Sequence, residues 1–160
     1  MLHRARQFFE AGARPGAGDL ELASRFLEGE LLALFEAQHP RDVVHAAATA
    51  RWLLARGHDD PELVCAALLH DVGKGQQRRA DRVAHVLVSA MGLGTVAADA
   101  GARLEIRRAL ARSRAHAEAG AALLAKAGAA GRTVELTRLH HAPPGGDPVL
   151  ALLQEADGAS

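Results

Sequence analysis

The chain has one cysteine, no tyrosine, four phenylalanines and one tryptophan in 160 residues, and each scarcity excludes something. A lone thiol, Cys65, cannot close an intrachain disulfide, which fits a reducing compartment. Its neighbours Leu63, Val64 and Ala66 mark it as a core thiol rather than a nucleophile. Basic and acidic side chains balance at 19 each, so there is no global basic field to attract nucleic acid and no acidic tail. No apolar run is long enough to span a bilayer, and the opening Met1-Leu2-His3-Arg4-Ala5-Arg6 lacks the apolar core of a signal peptide. The expectation is a cytoplasmic protein without a membrane partner. β-Branched residues are sparse while Ala and Leu dominate, which predicts an all-α domain rather than a sheet. Half the residues are hydrophobic, enough for a core in one domain over 1–160.

Against that background, Ala66-Ala67-Leu68-Leu69-His70-Asp71-Val72-Gly73-Lys74 stands out. Leu63, Val64, Ala67 and Leu68 recur at helical spacing, giving a buried stripe, and Gly73 ends the helix. His70 and Asp71 then belong to its last turn, with Lys74 reaching outward beyond the break. Upstream, Pro40 starts a helix with apolar positions at Val43, Val44, Ala47, Ala50, Leu53 and Leu54 that stops at Gly57. Asp60-Pro61 restarts the chain as N-cap and first-turn proline. From His45 to the turn is roughly 16 Å of helix, and from Pro61 to His70 roughly 14 Å. Two antiparallel helices therefore bring His45 level with His70-Asp71, as a metal centre requires.

His45, then Leu-Leu-His70-Asp71-Val-Gly-Lys74, then Asp157 in Leu-Gln-Glu-Ala-Asp resembles the HD-domain superfamily of metal-dependent phosphohydrolases, over roughly residues 39–157. The resemblance implies a compact bundle of about seven to nine helices, with residues 1–38 as packing helices and 39–157 as the metal-binding core. It also extends downstream. His116 in His-Ala-Glu-Ala-Gly-Ala is similar to the third histidine segment of binuclear members, and Arg138-Leu139-His140 matches the same subgroup. The His140-His141 doublet resembles the version in cyclic-dinucleotide phosphodiesterases. Spacing alone favours one of the pair facing solvent; His140 is the first choice as ligand and His141 the second.

On this resemblance His45, His70, Asp71 and Asp157 form a first metal site, and Asp71 bridges to a second ion held by His116 and His140, with His141 as a further candidate. Imidazole and carboxylate without thiolate suit two divalent ions of Fe, Mn, Ni or Zn. The implied activity is hydrolysis of a phosphate ester or anhydride of a nucleotide or dinucleotide through a metal-activated hydroxide, with Asp71 and Lys74 as catalytic residues. The His116 and His140 segments look like those of bacterial symmetrical dinucleoside tetraphosphatases. The alternatives are a catalytically silent nucleotide-binding or signalling module, and a cyclic-dinucleotide phosphodiesterase. The latter is disfavoured because no Gly-Tyr-Pro follows the HD segment.

Elsewhere the sequence predicts a short helix from His3 to about Ala11, whose Phe8 and Phe9 offer a contact for a homodimer. Asp19 is expected to cap a second helix. Gly75-Gln76-Gln77-Arg78-Arg79 reads as a polar loop, Val83 to Ala90 as an amphipathic helix, and 94–101 as a mobile lid. His3, His39, His58 and His85 read as incidental.

Overall fold

A computed structural model describes residues 14–75 and 101–160, with side chains at 14–75 and 114–160. The expected first helix with Phe8 and Phe9, the 76–79 loop, the helix carrying His85 and most of the 94–101 lid lie outside the described residues. Among those described there are seven helices and no strand, so the fold is all-α as the composition predicts. We label them α1 (Ala17–Ser24), α2 (Gly29–Glu36), α3 (Pro40–Leu54), α4 (Pro61–Leu69), α5 (Gly101–Lys126), α6 (Gly131–Leu139) and α7 (Pro148–Ala159). Helical backbone also resumes at Lys74-Gly75, so Gly75 does not open the expected loop: the turn after α4 closes with the Lys74 N–H on the Asp71 carbonyl and the chain re-enters a helix. None is long and apolar enough to cross a membrane.

The bundle is built around α4. Its residues Leu63 through Leu69 are all buried, not only the expected stripe, because α2, α3, α6 and α7 all pack against it. A helix apolar on every face has no solvent side to present. Asp60 caps it by accepting the Leu63 N–H at 2.9 Å, and Pro61 occupies the first position, where a missing N–H costs nothing. α7 repeats the device: Asp147 accepts from the amides of Val149 and Leu150, and Pro148 follows it. α1 departs from expectation. Its cap is Gly16, and Asp19 sits three residues in, where its carboxylate accepts the Gly16 N–H at 2.8 Å and pairs with Arg51 of α3 at 2.6 Å. An acidic side chain at that position serves the helix start as well as a cap does.

The turn between α3 and α4 is short, and Gly57 takes a φ of +80° there, a conformation that side chains disfavour. α3 and α4 therefore return on each other and set His45 opposite His70. α6 is tied to the start of α4 by Thr133, whose hydroxyl donates to the Glu62 carbonyl at 3.1 Å. α6 and α4 then both end near one pole of the bundle, where α7 also delivers its last turn.

Candidate metal centre

At that pole two helix ends meet the same local difficulty. The last carbonyls of an α-helix lack intrahelical N–H partners. At the end of α4 the His70 ring folds back and its Nδ1 donates to the Ala67 carbonyl at 2.9 Å; at the end of α6 the His140 Nδ1 donates to the Thr137 carbonyl at 2.6 Å. A carbonyl can only accept, so both Nδ1 atoms carry hydrogen, and each ring turns its Nε2 to the space between the helices. One short-range contact thus fixes tautomer and ring direction in each case.

The HD pair sits slightly further along than the sequence suggested. α4 ends at Leu69, His70 is its C-cap, and Asp71 lies in the following turn, with the Val72 N–H bonded to the Leu69 carbonyl. The displacement follows from packing at Gly73. A Cβ there would stand 2.0 Å from the His116 carbonyl oxygen and 2.6 Å from the Gly120 nitrogen. Backbone presses on backbone at this point, and the turn lowers Asp71 against α5 beside His116.

The result is a convergence of seven side chains from five segments. The His45 Nε2 lies 2.7 Å from Asp157 Oδ1, and the His70 Nε2 lies 3.3 Å from the same oxygen. Asp71 faces both sides: its Oδ2 is 3.4 Å from His70 Nε2, and its Oδ1 is 3.5 Å from His116 Nε2 and 3.8 Å from His140 Nε2. The His116 Nε2 is 3.4 Å from that of His140 and 3.0 Å from that of His141. Ligand atoms closer than 4.8 Å to one another fall into two sets, His45/His70/Asp157 and Asp71/His116/His140/His141. By distance Asp71 groups with the second set, and its Oδ2 also faces His70 of the first, so its two oxygens look toward different sets, the arrangement that the bridging role expected of it needs. His140 is buried and His141 exposed, as the spacing favoured, yet the His141 ring still turns its Nε2 inward. Lys74 pairs with Asp71 Oδ2. Arg138 does not join the cluster, its guanidinium reaching Glu118 of α5 at 3.2 Å.

Electrostatics distinguish the buried rings. Burial alone would lower the His70 pKa, but Asp71 and Asp157 raise it to about 10, so the metal-free ring carries a proton at neutral pH. Burial and the charge of His70 push His140 down to about 3, which keeps it a neutral donor. Burial and His116 also lower His141. Both carboxylates resist protonation despite their burial. His70, His116 and Lys74 hold Asp71 far below the carboxylate range, and His45 and His70 do the same for Asp157. Cys65 stays in the core, its thiol pushed up to about 11 by burial.

Whether this set suits a cation can be tested on its hydrogen bonds. His70 Nε2 and Asp71 Oδ1 are buried without a hydrogen-bond partner. An unpaired buried polar atom costs about 1–3 kcal/mol, more for a charged one. A divalent cation would satisfy both, and the imidazole-plus-carboxylate donor set fits one. The HD-domain model matches residues 37–159, most of the chain.

The chain belongs to the HD-domain family.

The family is that of metal-dependent phosphohydrolases, so the pole of this HD domain is read as a metal site of a hydrolase class. No curated protein and no solved structure matches the chain. Two glutamines that hold the site's helix ends carried no sequence signal when taken one at a time. Gln38 donates to the Leu68 carbonyl at 3.2 Å, and Gln154 donates to the turn holding His140 and His141. Gln154 lies three residues before Asp157, on the same stretch of α7, and that spacing could have flagged it.

Proposed function

We propose that this HD domain holds two divalent transition-metal ions and hydrolyses a phosphate ester or anhydride of a nucleotide or dinucleotide. The observation that carries the reading is the pair of buried ligand atoms left without a hydrogen bond, His70 Nε2 and Asp71 Oδ1, inside a ring of five further donors. His45, His70 and Asp157 would hold one ion and His116, His140 and His141 the other, with one oxygen of Asp71 directed at each. Such a pair supplies Lewis acidity, lowers the pKa of water and clamps the attacking and leaving oxygens of an in-line displacement.

The protein's own contribution is placement. His70 and His140 are aimed by their Nδ1 bonds and are almost fully buried, so they cannot swing away. His45 and Asp157 are about a quarter exposed and form the open rim through which a phosphate enters. Lys74 has a more exposed side chain and is paired with Asp71, which keeps its ammonium next to the reacting phosphoryl group. There it offsets negative charge that grows in the transition state. Lys74→Ala should therefore keep its metal and lower kcat/KM by about 10²-fold. Metal analysis together with steady-state rates checks this; an unchanged kcat/KM removes the assigned role.

Protonation of His70 gives a second expected outcome. A group with a raised folded pKa stabilises the fold fully below its unfolded value, about 6.5, and that contribution fades as pH climbs toward the folded value of about 10. The depressed Asp71 and Asp157 contribute above about pH 4 and lose this only in acid. Between pH 6.5 and 8.5 the metal-free Tm should therefore drift down. Metal must expel the His70 proton, so its binding strengthens with pH, by up to about 1.4 kcal/mol per unit. The gap between Tm with excess Mn²⁺ and Tm with chelator should widen across the window, and a constant or narrowing gap contradicts the assignment of His70.

The activity itself is tested by screening nucleotides, including diadenosine tetraphosphate, with the Mn²⁺-loaded chain. Release of phosphate or mononucleotide supports the reading. Stoichiometric metal with no turnover on any phosphate ester or anhydride would replace it with a silent nucleotide-binding module.

A further inference from the structure

The turn after α6 aims two histidines at once, and its carbonyls show how it is held. The Thr137 carbonyl accepts from the His140 ring, and the Leu139 carbonyl accepts from the Ala142 N–H at 2.7 Å. Both bonds are internal to the segment. The carbonyls of His140 and Ala142 are instead taken by one side-chain amide: Gln154 Nε2 donates to them at 3.1 and 2.6 Å. A primary amide nitrogen has two hydrogens and no acceptor role, so the two carbonyls use its donor capacity fully. Gln154 belongs to α7, and three residues later the same helix delivers Asp157 to the other ligand set. One side chain thus ties the turn of one set to the helix of the other.

From this geometry we infer that Gln154 is a positioning residue that anchors the His140-His141 turn on α7 and so aims the ligands of one half of the centre. The inference rests on the two-ion reading above, but it also concerns the metal-free chain. Ligand orientation by outer hydrogen bonds is worth about 10–100-fold in metal affinity, and this bond pair orients two ligands together. Gln154→Leu removes both donors at similar volume. Gln154→Glu keeps the shape and sets a carboxylate against two carbonyl oxygens, so it should act in the same direction and more strongly.

The test uses the full chain, first without metal. In histidine side-chain ¹H–¹⁵N spectra, Gln154→Leu should move the His140 and His141 signals and weaken the Nδ1–H signature of His140, while that of His70 stays. A merely structural loss would shift both rings together. Mn²⁺ titration of the same samples should show one ion bound as in the parent and the other at least about 10-fold weaker. If Gln154→Leu does not fold, Gln154→Glu is read in the same way. Unchanged His140 and His141 signals, or equal weakening of both ions, overturn the inference. A parent chain that binds no Mn²⁺ would instead sink the two-ion reading, and the spectra would still decide the positioning role.

Discussion

Asp71→Ala should empty both metal positions at once, leaving less than a tenth of the parent's bound metal and lowering hydrolysis by about 10³-fold or more. The expectation comes from the placement of its two oxygens, one 3.4 Å from His70 Nε2 and the other 3.5 Å from His116 Nε2. No other carboxylate of the centre is in reach of both ligand sets, since Asp157 meets His45 and His70 only. The variant should still fold. Without Asp71 the His70 ring loses an anion that keeps it protonated, and the ring can become neutral instead of standing as an unpaired buried charge. Elemental analysis after gel filtration is the check, with circular dichroism to confirm the fold. Loss of one ion only would make Asp71 a ligand of a single site and not a bridge.

Gly73→Ala should be the most damaging added methyl group among the described glycines. Its Cβ would stand 2.0 Å from the His116 carbonyl oxygen and 2.6 Å from the Gly120 nitrogen, both backbone atoms that cannot rotate away. The φ of Gly73 is not in the left-handed region, so the requirement is for space and not for conformation. Relief would need α5 to move outward, and His116 would move with it. Overpacking that displaces backbone costs on the order of 3 kcal/mol, which for a domain of this size lowers Tm by about 10 °C. A second consequence separates this from ordinary destabilisation: the second ligand set should lose affinity even where the variant is fully folded. Gly120→Ala makes the contrast. Its Cβ would meet nothing closer than 3.3 Å, so its effect should be much smaller. Equal effects from the two substitutions would contradict the reading of this contact.

The parts of the fold that local chemistry dictates are legible in the sequence. Asp60-Pro61 and Asp147-Pro148 are caps followed by a first-position proline, and both helices begin there. The meeting of His45 with His70 followed from helix rise and a short turn, and the rings lie 5.4 Å apart between centroids. Burial of α4 on all sides was not legible, because a four-residue apolar stripe looks the same whether the remaining small residues face neighbours or water. The position of Asp19 carries the same ambiguity, since an aspartate at a helix start can serve as the cap or three residues inside it, and here it does the latter. Gly73 looks in sequence like a helix stop, and its task depends on His116 and Gly120 of α5, more than 40 positions away. His116, His140, His141 and Asp157 entered through family resemblance, not through spacing, and only the packing of α5, α6 and α7 brings them to one place. Gln154 could have been flagged only by its place three residues before Asp157, and what it holds depends on two carbonyls of a distant turn.

The central claim is that these seven side chains enclose two ions with Asp71 between them. Anomalous diffraction at the manganese edge, from crystals of the chain grown with Mn²⁺, addresses it most directly. The account predicts two peaks about 3.5–4 Å apart, one beside His45, His70 and Asp157 and one beside His116, His140 and His141, with Asp71 touching both. Well-ordered side chains with no anomalous peak among them would contradict it.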